Sequence, residues 1–239
     1  MARTASARTR AGFLIFMVLV IAGVAGLGAW QLERRAWKHD LIARIEERMA
    51  EAPAALPAHI GDAAAWDHRP ATAEGVLVLG DAVRVGPRVH AGAVGAHIVA
   101  PLIRPDASAV LVVLGWVPQD WQPPADMATD AAEGLPVSLS GIAQLPDPPG
   151  MFTPANVPAA GQWYYVDAAA MAAAMGLDDA APVILVATAP VLAADGPPYP
   201  EPPVLELPDN HLQYALTWFG LAAALSVLTF VFHRRLRDR

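Results

Sequence analysis

The sequence predicts a two-helix transmembrane hairpin, with both termini in the cytoplasm, that encloses an extracytoplasmic α+β domain with an antiparallel sheet or a small barrel. Two observations carry this prediction. Apolar runs lie near both ends of the 239-residue chain, over residues 11–30 and 211–232, and each is close to the roughly 20 residues that a membrane-spanning helix needs. Between them lie short segments rich in Val, Ile and Leu, separated by Gly, Pro and Asp, as is typical of strands.

The charges that flank the second apolar run set the predicted orientation. A basic tail of residues 233–239 follows this run and contains four arginines, so its C-terminal end is predicted to stay in the cytoplasm. Two crossings then place residues 1–10 there as well, as a cytoplasmic head. The alternative for residues 11–30 is a cleaved signal peptide, because small residues lie near its end, but the run exceeds the usual h-region of about 7–15 residues.

A predicted outward helix follows the first span, over residues 31–50. Its apolar residues recur at helical spacing and its charged residues lie elsewhere on the helical wheel, while Pro53 and Pro57 come directly after it. The extracytoplasmic domain is predicted over residues 51–196. A proline-rich return segment, residues 197–210, is predicted to be extended and to lead the chain back to the membrane.

Seven short segments of this domain have the composition of strands. They are TAEGVLVL, AVRVGPRV, GAHIVAPLI, AVLVVLGWV, LPVSLSGIAQL, QWYYV and PVILVATA. One helix interrupts them, over residues 166–177. Asp167 is its predicted N-cap and Gly176 its predicted end.

Composition excludes several classes of function. Residues 31–210 contain nine Lys and Arg against 22 Asp and Glu, a net charge of −13, so this region has no basic surface for nucleic acid. The chain has no cysteine, which excludes thiolate metal sites, iron–sulfur clusters, thioester chemistry and disulfide exchange. The partners predicted are therefore membrane lipid and protein, and no nucleic acid.

Catalytic motifs are missing from the sequence. It contains no GxSxG, HExxH, P-loop or Rossmann glycine pattern, so we predict a protein that is not an enzyme. Met171 and Met175 lie at i, i+4, which is compatible with Cu(I) binding, but packing in the core is the favoured interpretation. Four histidines show no ligand spacing on one element and are predicted to be ordinary surface or strand residues; they are His59, His68, His90 and His97.

The candidate site lies at the start of the second span. Asn210 is the predicted helix cap, and His211, Tyr214, Ala215 and Trp218 form one stripe of that helix. A neutral histidine above aromatic rings, with a gap at the alanine, suits a flat macrocycle such as haem, whose iron takes histidine as an axial ligand. The alternative is an interfacial aromatic belt that binds no ligand.

Six segments, in order along the chain, carry a resemblance to a known family. They are GAWQLERRAWKHDLI, PRVHAGAVGAHIVAPL, GWVP from Gly115, FTPANVP from Phe152, QWYYVD leading into AMAAAMGL, and NHLQYALTW from Asn210. With these segments between two spans, the chain resembles the Surfeit locus protein 1 family of cytochrome c oxidase assembly factors.

The resemblance implies a membrane-anchored factor that binds haem a as a transient cargo and assists its insertion into oxidase subunit I. The implied partners are subunit I and the haem a synthesis machinery. The head MARTASARTR has the composition of a transit peptide but leads straight into a span, which favours a bacterial inner membrane, with the main domain in the periplasm, over a protein imported into an organelle. His211 is the implied axial ligand of the haem iron, and the stripe described above adds Tyr214 and Trp218 as candidate contacts of the macrocycle. The alternative is a scaffold that stabilises nascent subunit I without haem, through the small residues Gly220 and Ala222–Ala224.

Two departures from the family pattern concern the domain surface. Relatives commonly have Asn-Arg before Gly-Trp, whereas this chain has Val113 and Leu114. Gln144 also stands where a basic residue is frequent. His39 is a candidate second ligand that we do not favour, because it lies about 13 Å beyond Trp30 along a helix with a rise of 1.5 Å per residue.

Overall fold

The computed structural model describes residues 7–123, 134–203 and 209–237. The ends of the predicted head and tail, residues 1–6 and 238–239, and residues 204–208 of the return segment lie outside this range. The chain forms two compact units. One comprises Met1–Arg44 with Leu205–Arg239, and the other comprises Ile45–Val204.

Three α-helices and seven β-strands make up the described structure. The helices are α1 (Ala7–Met49), α2 (Ala168–Ala174) and α3 (His211–Arg237). The strands are β1 (Ala54–Ala55), β2 (Arg69–Leu77), β3 (Val83–His90), β4 (Ala93–Ile103), β5 (Ala109–Pro118), β6 (Leu135–Gln144) and β7 (Ala180–Ala187). Three short 3-10 helices cover Ala63–Trp66, Leu79–Asp81 and Pro158–Ala160.

The first unit contains α3 and most of α1, which run antiparallel. The rings of Phe13 and Phe232 lie 5.4 Å apart. At the other end of the pair, a Cβ on Gly28 would lie 2.8 Å from the ring of Phe219, so glycine is what allows this ring to pack against α1. Both helices are long and apolar enough to cross a membrane, as the predicted hairpin requires.

The predicted division at residue 30 does not interrupt the helix. The first span and the outward helix are one continuous helix, α1, that ends at Met49, four residues before Pro53. No proline lies between residues 11 and 49, so hydrogen bonding continues where the composition changes from apolar to charged.

The second unit is built on a mixed sheet with strand order β1-β2-β6-β7-β5-β4-β3. An antiparallel sheet or a small barrel was predicted, and the sheet is mixed, because β7 is parallel to β5 and β1 is parallel to β2. After β6, the connection that contains α2 leads to β7, which lies between β6 and β5 in the sheet. Strand β7 is antiparallel to β6. A short pairing of β2 with β4 closes strands β2, β6, β7, β5 and β4 into a ring, so the predicted small barrel is present.

Two hydrophobic cores lie on opposite faces of this sheet. Val110, Val112 and Leu114 point into the barrel together with Leu77, Leu102 and Leu185. The alternate residues Leu111 and Val113 point outwards into the second core. This core also contains Val85 of β3, Ile184 of β7, Trp163, and Met171 of α2. Residues 109–117 are therefore buried throughout, and β5 is the most completely buried of the described strands.

Helix α2 agrees closely with its prediction. The side chain of Asp167 accepts a hydrogen bond from the Ala170 backbone N–H at 3.0 Å, and Gly176 has the left-handed φ of +69° that favours glycine after a helix. Met171 is fully buried, which confirms the core interpretation. Of the seven predicted strands, QWYYV is not one: Gln162 and Trp163 form only isolated bridges.

The interior of the barrel supplies a direct test of this architecture. Leu185→Ala removes a fully buried side chain and should lower the free energy of unfolding by about 2–5 kcal/mol. Leu145→Ala is the matched control, because that leucine is 38% exposed and should cost much less. Chemical denaturation of the full chain, followed by tryptophan fluorescence, measures both. Equal losses for the two variants would contradict the assignment of Leu185 to the core.

Candidate functional site

His211 opens α3, and its neighbours fix the start of this helix. The Asp209 side chain accepts a hydrogen bond from the His211 backbone N–H at 3.1 Å. The carbonyl of Asn210 accepts the first helical bond, from Tyr214 at 3.1 Å. The side-chain acceptor found at this helix start is therefore Asp209, where the sequence had suggested the neighbouring Asn210.

Among the described residues, the imidazole of His211 makes one polar contact with α1. Its Nδ1 lies 2.7 Å from Oε1 of Gln31. An amide oxygen can only accept a hydrogen bond, so Nδ1 carries the proton in this contact. The other nitrogen of a neutral imidazole, Nε2, then keeps its lone pair for a ligand.

Asp209 also binds two side chains of α1. Its Oδ2 lies 2.7 Å from Nε2 of His39 and 3.1 Å from Nε of Arg35. The hydrogen bond from His39 is the main cause that lowers the pKa of Asp209 to about 2, and the His211 backbone N–H and Arg35 contribute. One carboxylate therefore joins His39 to the start of α3. From the sequence, His39 was not favoured as a ligand because of its distance along the helix. No sequence signal indicated that Asp209 links the two helices.

The four residues of the predicted stripe differ in their surroundings. Tyr214 is 56% exposed and Trp218 is partly buried, whereas Ala215 is only 1% exposed. The gap expected at the alanine is therefore closed by packing. The surface beside His211 that remains available consists of the two aromatic side chains.

A second polar cluster lies in the sheet domain. Oε1 of Glu201 lies 2.5 Å from Nδ1 of His90, and Oε2 lies 2.5 Å from Nε2 of His97. Both histidines lie on strands, as predicted, whereas the glutamate that they share was not predicted. Strands β3 and β4 form a hairpin that places them on one side of the sheet, and Glu201 arrives from the return segment more than 100 residues later, so no local spacing could reveal the cluster.

The charge state of Glu201 follows from these contacts. Partial burial raises the pKa of its carboxyl, but hydrogen bonds from His97 and His90 outweigh this and hold the pKa below the ordinary 4.5. A depressed folded-state pKa means that the stabilisation is fully present above about pH 4.5 and is lost as the pH falls through the folded-state value. Glu201 is therefore ionised at neutral pH and fastens the return segment to β3 and β4.

The return segment also pairs with the end of β5. The backbone N–H groups of Trp116 and Tyr199 each donate to the other's carbonyl at 2.8 Å. The ring of His90 lies 5.1 Å from that of Trp116 and 6.0 Å from that of Tyr199. The indole N–H of Trp116 donates to the carbonyl of Arg88 at 3.2 Å. These contacts with the return segment and with β3 explain why Trp116 is only 4% exposed.

The arrangement of the cluster suits hydrogen bonding and not metal binding. In the part of the chain that the structure describes, no group of three or more His, Asp or Glu side chains is placed to hold a metal ion. The two imidazoles contact separate oxygens of Glu201, so the carboxylate engages one nitrogen of each ring. The departure from the family pattern at Val113 and Leu114 is explained by packing, since both residues are buried in the cores.

Gly115 is required by the return segment, which gives a second prediction. A Cβ at this position would lie 2.1 Å from the carbonyl oxygen of Tyr199, and the residue has φ +135°. Gly115→Ala should therefore lower the free energy of unfolding by more than about 2 kcal/mol. Gly61→Ala, where nothing lies within 4 Å, is the control. Equal stability of both variants in thermal unfolding would mean that the segment does not pack against β5.

Comparison with known proteins agrees with the motifs. A family model described as the SURF1 family matches residues 18–223. The SURF1-like protein of Monosiga brevicollis is 31% identical over 97% of this chain and 91% of its own length. Surfeit locus protein 1 of Mus musculus is 34% identical over 90% of this chain and 74% of its own, and that of Homo sapiens is 33% identical over 91% and 77%.

Proposed function

This chain belongs to the SURF1 family, and on that premise we propose that it is a membrane-anchored assembly factor for cytochrome c oxidase. In this proposal it receives haem a as cargo through His211 and assists its insertion into subunit I. The observation that carries the haem part is the contact between Nδ1 of His211 and the Gln31 amide. The proposed partners are subunit I, the machinery that makes haem a, and membrane lipid.

The residues around His211 fit a haem as cargo. Haem iron takes a neutral imidazole nitrogen as an axial ligand, and Gln31 selects the tautomer that leaves Nε2 with its lone pair. Asp209, through α1, holds the backbone from which this side chain projects. Tyr214 and Trp218 offer rings beside the imidazole for contact with a flat macrocycle. The alanine gap is not part of this proposal, because Ala215 is buried.

The proposal places the sheet domain in the periplasm of a bacterium and α1 and α3 in the inner membrane. Its support is the tail of residues 233–239, with four arginines and a histidine, because positive residues stay on the cytoplasmic side. The region between the spans carries a net charge of −13, which is compatible with translocation.

Single cysteines test this orientation cleanly, because the chain has none of its own. Met151→Cys, at a side chain that is 92% exposed in the sheet domain, should react with a membrane-impermeant maleimide in spheroplasts. Arg235→Cys should react only after the membrane is permeabilised. The reverse labelling pattern, or labelling of both sites in intact spheroplasts, would contradict the hairpin orientation.

The haem prediction concerns the pigment of the purified protein. After co-expression with haem a synthesis, His211→Ala should remove the Soret absorption while leaving abundance and membrane insertion unchanged, because a partly exposed histidine contributes little to folding. Gln31→Leu should weaken haem retention about 10- to 100-fold, as loss of a partner that orients a ligand does. Tyr214→Phe keeps the ring and should retain the pigment.

Two outcomes separate this proposal from the haem-independent scaffold. Wild-type protein that carries no pigment, together with reduced co-purification of subunit I in His211→Ala, would favour the scaffold. Full pigment in His211→Ala would contradict the ligand assignment, and His39 would then be the next histidine to replace.

A further inference from the structure

A cavity of about 330 Å³ lies on the outer face of the sheet, within the second unit. Its floor consists of the aliphatic side chains Val113, Ile184 and Val186, and Tyr164 and Tyr165 form part of its wall. This volume is near the lower end of the range of about 300–1,000 Å³ found for small-molecule sites. An apolar floor beside aromatic walls suits a small molecule with a hydrocarbon body.

Arg88 supplies the positive charge of this cavity. The residue is partly buried, and its guanidinium donates from Nη1 to the carbonyl of Pro87 at 3.1 Å. Among the described residues, no ion pair within 4.0 Å involves Arg88. A guanidinium offers five N–H donors in a planar fork that matches a carboxylate, and most of these donors are available to a ligand.

The acidic residues that line the cavity do not cancel this charge. Both oxygens of Glu201 are engaged by His90 and His97, and neither forms an ion pair with Arg88 within 4.0 Å. Asp147 is exposed, so water screens its attraction to Arg88. Gln144 and Thr153 add uncharged polar groups at the rim. Arg88 is thus a partly buried cation that lines the cavity without an ion pair among the described residues.

We propose that this cavity binds a small apolar molecule that carries one carboxylate, with the carboxylate on Arg88 and the hydrocarbon on the floor of Val113, Ile184 and Val186. The inference does not depend on haem binding, since every residue in it belongs to the sheet domain. Variants that abolish binding in the cavity should therefore leave the haem pigment of the purified protein unchanged, so the two proposals can be tested separately.

The probe is 4-phenylbutanoate, which has about twelve non-hydrogen atoms; at about −0.3 kcal/mol per atom this corresponds to a dissociation constant in the millimolar range. Calorimetry on the full chain in nanodiscs, corrected for empty nanodiscs, measures binding. Methyl NMR locates it: the Ile184 methyl should shift on titration, whereas the Ile60 methyl, buried in the other core, should not.

Two substitutions and a neutral analogue test the role of the charge. Arg88→Gln should weaken binding at least about 10-fold, as loss of a charge-assisted pair does, and it leaves the backbone carbonyl that holds Trp116 in place. Arg44→Gln removes an equal charge from an exposed site and should change nothing. The alcohol 4-phenylbutan-1-ol should bind at least about 10-fold more weakly than the carboxylate.

A cavity-filling variant tests the location independently. Gln144→Trp introduces a large side chain from the partly buried rim, not from either core, and should abolish the shift at Ile184. Absence of binding to wild type at about 10 mM probe would overturn the proposal. So would equal binding of the alcohol and the carboxylate, or unchanged binding in Arg88→Gln with an unchanged thermal unfolding midpoint.

Discussion

The end of β5 is the point on which the sheet domain depends. This strand is buried on both faces, and β7 pairs with it only as far as Val113. The edge beyond that residue would expose unpaired backbone groups next to a buried tryptophan, which is unfavourable. The return segment satisfies these groups through the reciprocal bonds between Trp116 and Tyr199, so it completes the backbone pairing at the end of β5.

The charged contacts of the return segment follow from this backbone pairing. Once Tyr199 is fixed beside Trp116, Glu201 lies two residues further along and reaches His90 and His97. Gly115 is needed because the carbonyl of Tyr199 occupies the space of a side chain. A glycine, a tryptophan, two histidines and a glutamate that are scattered over more than 100 residues therefore serve one contact. The stability of this contact comes from several hydrogen bonds together, since each contributes only about 1 kcal/mol net to the free energy of folding.

Sequence patterns predicted the features that depend on local or repeated signals. The two long apolar helices, the capped helix after Asp167 and six of the seven strands have such signals, since composition and period are read over a few residues. The parallel pairing of β7 with β5 has none, because it is decided by where a connection returns. The cluster at Glu201 was missed for the same reason. At the start of α3, the prediction for His211 came from its position in the sequence, whereas its contact with Gln31 depends on how α1 and α3 align.

Polar residues of α1 contact the start of α3 next to the long apolar parts of both helices. Gln31, Arg35 and His39 follow one another at i, i+4 and i+8 on α1, so they share one face, and that face meets His211 and Asp209. Alignment of two apolar helices by packing alone is weakly specified, because their side chains are similar along the whole length. Charge-assisted bonds to one carboxylate fix the register instead. The same bonds hold His211 against Gln31, so the contact that aligns the helices also orients the imidazole.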